Sequence, residues 1–245
     1  FEVLGIDGDE KLGGDDIDHL LLEHICNENN IDLTSLFSEN KYAKTIAALI
    51  NAVRDAKEFL SAQDAYNLIL PSLYVNDSYI NIDTVITKQE LNDILRNKNR
   101  KGGKGSVVEA LDAAIRRLKL KTRNVKVDLL LPIGGSSQIP AIQKVVKDNY
   151  PDSEHFALPD KGSQVSVARG AAVYSALKDS RGLSPLGKSI QNISIKMRVP
   201  HSLSVAMYDG TLVKLINSNS PAPCKATKKV FATCCDVNKQ LIELS

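Results

Sequence analysis

The sequence predicts an α/β fold with a β-rich insert in its first half and an antiparallel β segment toward its end. Three observations predict it. Residues 126–140 are an apolar run closed by Gly134, Gly135, Ser136 and Ser137, with Pro140 where a helix would begin: strand, tight turn, helix. Ile46, Leu49, Ile50, Val53 and Leu60 recur at helical spacing across residues 41–61, and two strand-like runs follow them. From about residue 181 the pattern changes. Ile193, Ile195, Met197 and Val199 alternate with polar residues, the period of a strand with one wet face.

The elements follow in chain order. Gly13 and Gly14 lead into Asp15, Asp16 and Asp18 and the periodic residues Ile17, Leu20, Leu21 and Ile25, a helix whose acidic first turn suits its dipole. Residues 66–70 and 79–85 read as strands around the turn Asn76-Asp77-Ser78. Thr87 with Glu90, and Ser106 with Glu109, are two capping boxes; the second opens a helix carrying Val108, Leu111, Ile115 and Leu118. Between them, residues 96–105 are basic and glycine-rich. They lack the Gly-x4-Gly-Lys-Ser/Thr of a phosphate loop, and the expectation is an exposed basic loop. Residues 165–177 form a helix in which Gly170, Ala171, Ala172 and Ala176 permit close packing on a sheet. Residues 202–208 and 211–216 flank Asp209-Gly210, a hairpin cue because tight hairpin turns need positive φ. Residues 228–234 suggest one more strand.

Composition excludes several classes. At 245 residues the chain holds one or two domains with a real core. A net charge of +2 implies neither a nucleic-acid nor a membrane partner, and no apolar run reaches the ~18 residues of a membrane span. Phe1-Glu2-Val3-Leu4 has no basic leader, starts without Met and reads as mid-strand, so a fragment of a longer chain is expected. Cys26, Cys224, Cys234 and Cys235 show no metal spacing and suit a reducing, cytoplasmic setting. His19, His24, His155 and His201 form no nucleophilic constellation. Asp9, Asp15, Asp16 and Asp18 are read as acids of a helix start, with no metal site assigned.

With Phe1-Glu2-Val3 ahead of it, the segment from Gly8 to Asp18 resembles the heat-shock-70 (DnaK-like) chaperone family, in which Leu-Gly-Gly-Glu/Asp-Asp-Phe-Asp opens the second lobe of the ATPase domain. The turn from Gly134 to Pro140 resembles that family's adenosine-binding turn, and Gly170-Ala171-Ala172-Val173 its last ATPase helix. The run Gly13 to Leu21 leans toward the bacterial chaperones specialised for iron–sulfur assembly. The resemblance implies an actin-like, ribonuclease-H-like second lobe with an α+β insert over residues 1–180. It further implies a linker region at 181–201 and the first strands of an incomplete antiparallel β-sandwich, the substrate-binding part, over 202–245.

The same resemblance implies an adenosine site. The family pattern Glu-Arg-Ala-Lys-Arg-x-Leu-Ser corresponds to Arg54-Asp55-Ala56-Lys57-Glu58-Phe59-Leu60-Ser61, which retains Lys57 and Ser61. Arg54 replaces an acid, and Glu58 an arginine that lies against the base. Gly134, Gly135 and Ser136 are retained in the turn, Ser137 follows, and Gln138 stands where a second stacking arginine belongs; Gly13 and Gly14 complete the set. Guanidinium stacks on a purine better than Glu or Gln does. Each lost cation–π contact is worth about 0.5–2 kcal/mol, so weakened affinity is expected.

ATP or ADP is the implied cofactor, with Mg²⁺ expected only alongside the family's first lobe. That lobe's Asp-x-Gly-Thr-Thr motif is absent from these residues, so no catalytic residue is assigned and hydrolysis is not expected of this chain alone. An acid usually at the cleft mouth is matched by Gln164. The linker's acidic, leucine-rich pattern is replaced by Ile193–Val199 with Lys196 and Arg198, which places its docking in doubt. Implied partners are unfolded or extended peptide clients, a J-domain co-chaperone and a nucleotide exchange factor. The competing expectation is a nucleotide-independent relative serving as a binding or structural protein, of the viral virion-tail or exchange-factor-like kind.

Overall fold

The computed structural model describes residues 1–156, 162–178, 194–207 and 210–227, which divide into two compact units. The larger comprises residues 8–116 and 126–175; the smaller comprises 1–7, 117–125 and 176 onward.

In the larger unit the core is built where three amphipathic elements meet. Helix α1 (Gly14–Glu28) buries Ile17, Leu20, Leu21, Ile25 and Cys26. After the short α2 (Leu33–Ser38) and a 3-10 turn (Asn40–Tyr42), helix α3 (Ala43–Leu60) lays Leu49, Val53, Ala56 and Leu60 against it. Their i, i+4, i+7, i+11 spacing keeps one stripe facing inward. Strands β1 (Ala65–Val75) and β2 (Ser78–Thr87) form an antiparallel hairpin that adds Leu68, Val75, Ile82 and Ile86. Asn76 and Asp77 turn it with φ of +49° and +58°, the double positive φ that matches strand twist. Full burial of each such side chain is worth about 1.5–3 kcal/mol, which holds the hairpin on the helices.

Both capping boxes form. Thr87 Oγ1 accepts from Glu90 N at 3.1 Å, and Glu90 Oε2 accepts from Thr87 N at 2.7 Å, starting α4 (Lys88–Asn97). The Thr87 hydroxyl, then its N–H, hold the Glu90 carboxyl below the usual range. Ser106 and Glu109 repeat the exchange at the head of α5 (Val107–Lys121).

Strand β3 (Leu129–Leu130) pairs in parallel with β4 (Glu154–His155), and α6 (Pro140–Asn149) connects them. The expected buried strand is corrected here. Leu129, Leu131 and Ile133 are half exposed, because β3 is two residues long and pairs only with β4 among the described residues. Helix α7 (Gly162–Lys178) also departs from expectation. Val165 and Val167 are exposed, and a Cβ on Gly170 would meet nothing within 4 Å, so its small residues pack on no sheet among the described residues. The Gln164 side chain lies outside the described residues.

In the smaller unit, Asp7 is nearly buried and is held by Arg117 Nη2 at 2.9 Å and Lys121 Nζ at 2.7 Å. Burial pushes its carboxyl up; the two cations outweigh that and leave it below the ordinary range. Glu2 bridges in parallel to Lys196, and Arg198 donates to Val3 O and Asn219 O at 3.1 Å and pairs with Glu2 at 2.9 Å. Strand β5 (Met197–Arg198) pairs with β8 (Pro221–Ala222), and β6 (Leu203–Ala206) with β7 (Leu212–Ile216), both antiparallel. Gly210 has φ +81° between β6 and β7, as its hairpin cue requires. Asp209, Ile193 and the expected strand at 228–234 lie outside the described residues. No described helix is long and apolar enough to cross a membrane.

Candidate functional site

Gly14 is the meeting point of three distant segments. A Cβ there would lie 3.3 Å from Lys57 Nζ and 3.4 Å from Ser136 Oγ, so the first turn of α1, the last turns of α3 and the turn after β3 converge on one bare backbone position. Helix α3 presents Lys57 because its stripe runs through Val53, Ala56 and Leu60; position 57 then faces the N-terminus of α1. The ammonium reaches Asp18 Oδ1 at 2.6 Å and donates to Gly14 O at 3.2 Å. Both members of the ion pair are about nine-tenths buried.

Gly13 holds the entry to α1 by donating its N–H to Asp16 Oδ2 at 2.7 Å. Arg54, half exposed, lies 3.4 Å from Asp18 and 3.6 Å from Asp15. Ser61 Oγ donates to Lys57 O, back along its own helix, at 3.0 Å. Glu58 is exposed.

The turn after β3 is a 3-10 helix, Gly135–Gln138, entered by Gly134 at φ +88° and ψ 151°. That region is essentially glycine's alone. Nothing lies within 4 Å of where a Gly134 Cβ would be, so this backbone is open to an approaching group. Ser137 Oγ donates to Gly134 O at 2.6 Å, and Gln138 Nε2 donates to Ser137 Oγ at 3.3 Å. Ile139, fully buried, and Pro140 then start α6, with Ala141 N donating to Asn92 Oδ1 of α4 at 3.0 Å. The structure therefore gathers Gly13, Gly14, Arg54, Lys57 and Ser136. Ser61, Glu58, Ser137 and Gln138 sit on the same elements but bond locally or face solvent.

The charges say what such a site grips. Asp15, Asp16 and Asp18 outnumber Arg54 and Lys57 around Gly14, which disfavours a polyanion at that point. Hydroxyl and ammonium donors with exposed backbone suit a sugar and a base. A nucleotide held here would meet Lys57 and Ser136 as its side-chain donors and Gly14 and Gly134 as bare backbone positions. A separate apolar cleft of about 330 Å³ lies between β3, β4 and α6, lined by Leu131, Ile142, Val146 and Phe156. It touches Ser137 and Gln138 but takes no residue from α1 or α3, so it is not the Gly14 site.

Sequence reasoning missed two residues. Asp18, read as a helix-start acid, is the buried counter-charge of Lys57. Its position three, four and seven residues before Leu21, Leu22 and Ile25 places it on the buried face, which was the available signal. Arg100 was assigned to an exposed loop, yet it is 4% exposed. Its guanidinium donates to Lys11 O, Lys104 O and Asp9 Oδ2, each at 2.9 Å. The glycines explain the inversion: Gly102 and Gly105 have positive φ, and Gly103 passes where a Cβ would be 2.8 Å from the guanidinium. The loop wraps around its own cation and ties it to the approach to Gly13.

The Hsp70 protein family model matches residues 1–244. The heat shock 70 kDa protein of Trichophyton rubrum is 30% identical over 238 residues, covering 96% of this chain and 33% of that protein. The chaperone protein DnaK of Ureaplasma parvum is 31% identical over 243 residues, covering 96% of this chain and 36% of its own length. The chain thus spans about a third of the length of these curated relatives. A match over nearly the whole chain, with convergence of its glycine turns, leads to one conclusion: the chain belongs to the Hsp70 family.

Proposed function

We propose that this chain is the adenosine-gripping lobe of an ATP-dependent, Hsp70-type chaperone of the cytoplasm, actin-like in its lobe, with residues from 202 opening a peptide-binding β-sandwich. The observation that carries the reading is the convergence of Lys57 and Ser136 on Gly14. Lys57 and Ser136 orient the ribose and base; Gly134 and Gly135 let backbone come within contact distance. Bound nucleotide supplies the γ-phosphoryl whose loss drives the chaperone cycle, and Mg²⁺ and the phosphate donors belong to the family's first lobe. Client peptides, a J-domain co-chaperone and an exchange factor are the partners of this reading.

One observation favours a second reading, a nucleotide-independent binder. Lys57 is already engaged by Asp18 and Gly14 O, and Glu58 and Gln138 offer no guanidinium to stack on a purine. Calorimetric titration of ADP, and separately of adenosine, tests between them, with Gly135→Asp as the control. Saturable binding of either, lost in Gly135→Asp, is expected. Absence of saturable heat for both, in a chain with a native circular dichroism spectrum, overturns the nucleotide reading and leaves the second.

A further inference from the structure

We infer that His24, Glu28 and Glu90 form a binding site for a divalent transition cation, with Zn²⁺ as its representative, between the end of α1 and the start of α4. One nitrogen or oxygen from each lies within 4.8 Å of the other two, the one such His/Cys/Asp/Glu group of three among the described residues. His24 and Glu28 are four apart on α1, and their Nε2 and Oε1 atoms are 3.3 Å from each other. Tetrahedral zinc with bonds near 2.1 Å places neighbouring ligand atoms about 3.4 Å apart, so this pair already spans one edge of the polyhedron. The gap to Glu90 is no more than about 1.4 Å beyond that edge, which rotation of the His24 and Glu28 side chains toward the held carboxylate closes.

The third ligand is presented rather than free-swinging. Glu90 spends Oε2 on the N–H and hydroxyl of Thr87, both at 2.7 Å, which fixes the carboxylate and leaves Oε1 for a metal. Such outer hydrogen bonds are what orient metal-binding carboxylates. Charge points the same way. Neither Glu28 nor Glu90 has a lysine or arginine within salt-bridge distance among the described residues, so two carboxylates face a single imidazole. One imidazole nitrogen with two carboxylate oxygens suits Zn²⁺, Co²⁺ or Ni²⁺ and is a poor set for Ca²⁺ or Mg²⁺. The fourth position is open to water.

The same helix supplies a control. His19 and Glu23, one turn earlier, make an equivalent i, i+4 pair at 3.1 Å with no third ligand gathered to it among the described residues. The site lies at the opposite end of α1 from Gly14, about 15–20 Å along the axis, so it is independent of the nucleotide reading.

The test is titration of the whole chain with Zn²⁺ by calorimetry, and with Co²⁺ by the visible absorption of a four-coordinate ion, each under thiol-blocked conditions. Wild type, His24→Gln, Glu28→Gln, Glu90→Gln and His19→Gln are compared. Glu28 is the most exposed of the three, so Glu28→Gln keeps the fold. Expected are a saturable site in wild type and in His19→Gln, and an affinity loss of about tenfold or more in each of the other three, since even outer-shell partners are worth that much. Zn²⁺ should raise the melting temperature of wild type and not of Glu28→Gln. Absence of saturable uptake, or uptake unchanged in Glu28→Gln, overturns the assignment.

Discussion

Replacing Lys57 with Met should be among the most damaging single changes in α3, and the size of the loss follows from one carboxylate. Lys57 Nζ sits 2.6 Å from Asp18 Oδ1, and both side chains are about nine-tenths buried. At that distance the gross Coulomb attraction is about 6 kcal/mol for an effective dielectric of ~20. Most of it offsets desolvation, so the pair itself adds little. Removing one partner is different: a stranded buried charge costs about 3–5 kcal/mol. Arg54 remains 3.4 Å from Asp18 but is half exposed, so it compensates in part and places the loss near the lower bound, about 3 kcal/mol. For a chain of this size that is a drop of roughly 6–12 °C in melting temperature. The assay is thermal unfolding followed by circular dichroism, with Asp18→Asn added to the Lys57→Met background. Removing the stranded charge should recover at least half of the loss. A single variant within about 1 kcal/mol of wild type, or a double variant less stable than the single, refutes the buried-pair reasoning.

Three further outcomes are expected. Gly134→Ala should cost about 1–3 kcal/mol from backbone strain at φ +88°, with no clash to relieve, read as a lowered urea midpoint. Arg100→Ala leaves its carbonyl and carboxylate acceptors without their donor; the loop should open, and trypsin should cut after Lys101 or Lys104 about tenfold faster by gel time course. Thr87→Val should lose about 1 kcal/mol of helix cap at pH 7. Because Thr87 depresses the Glu90 carboxyl, that contribution is complete above pH ~4.3 and is lost as pH falls through the lowered folded value. The gap between wild type and Thr87→Val in urea midpoints should therefore narrow from pH 7 to pH 3.

Local chemistry was legible in the sequence where a few residues decide it. The two capping boxes, the stripe of α3, the hairpin turn at Asn76 and Asp77, and the glycine turn before Pro140 each follow from neighbours within a few positions. Of the candidate site, Lys57 and Ser136 lie in stretches that carry their own pattern and meet at Gly14, whereas Ser61, Glu58, Ser137 and Gln138 bond locally or face solvent. The wiring of the site was not legible. Nothing local tells that Lys57 is spent on Asp18, 39 residues upstream, or that Arg100 turns inward to Asp9 across 91 residues. A basic glycine-rich stretch reads as solvated until the carbonyls that fill its centre are known. The exposure of Leu129 and Leu131 was equally hidden, since apolar runs announce burial without saying which layer covers them.

The meeting of Gly14, Lys57 and Ser136 carries a kinetic consequence. The three belong to segments 43 and 79 residues apart, so none of the local structures that form early brings them together. Each loop closure must be made before any contact rewards it. Their convergence is accordingly among the last features to exist on the folding route. Burial of the Lys57–Asp18 pair beside Gly14 then reports on completed tertiary assembly, while helix content reports only on its parts, and the two signals should separate in time when the chain refolds from denaturant.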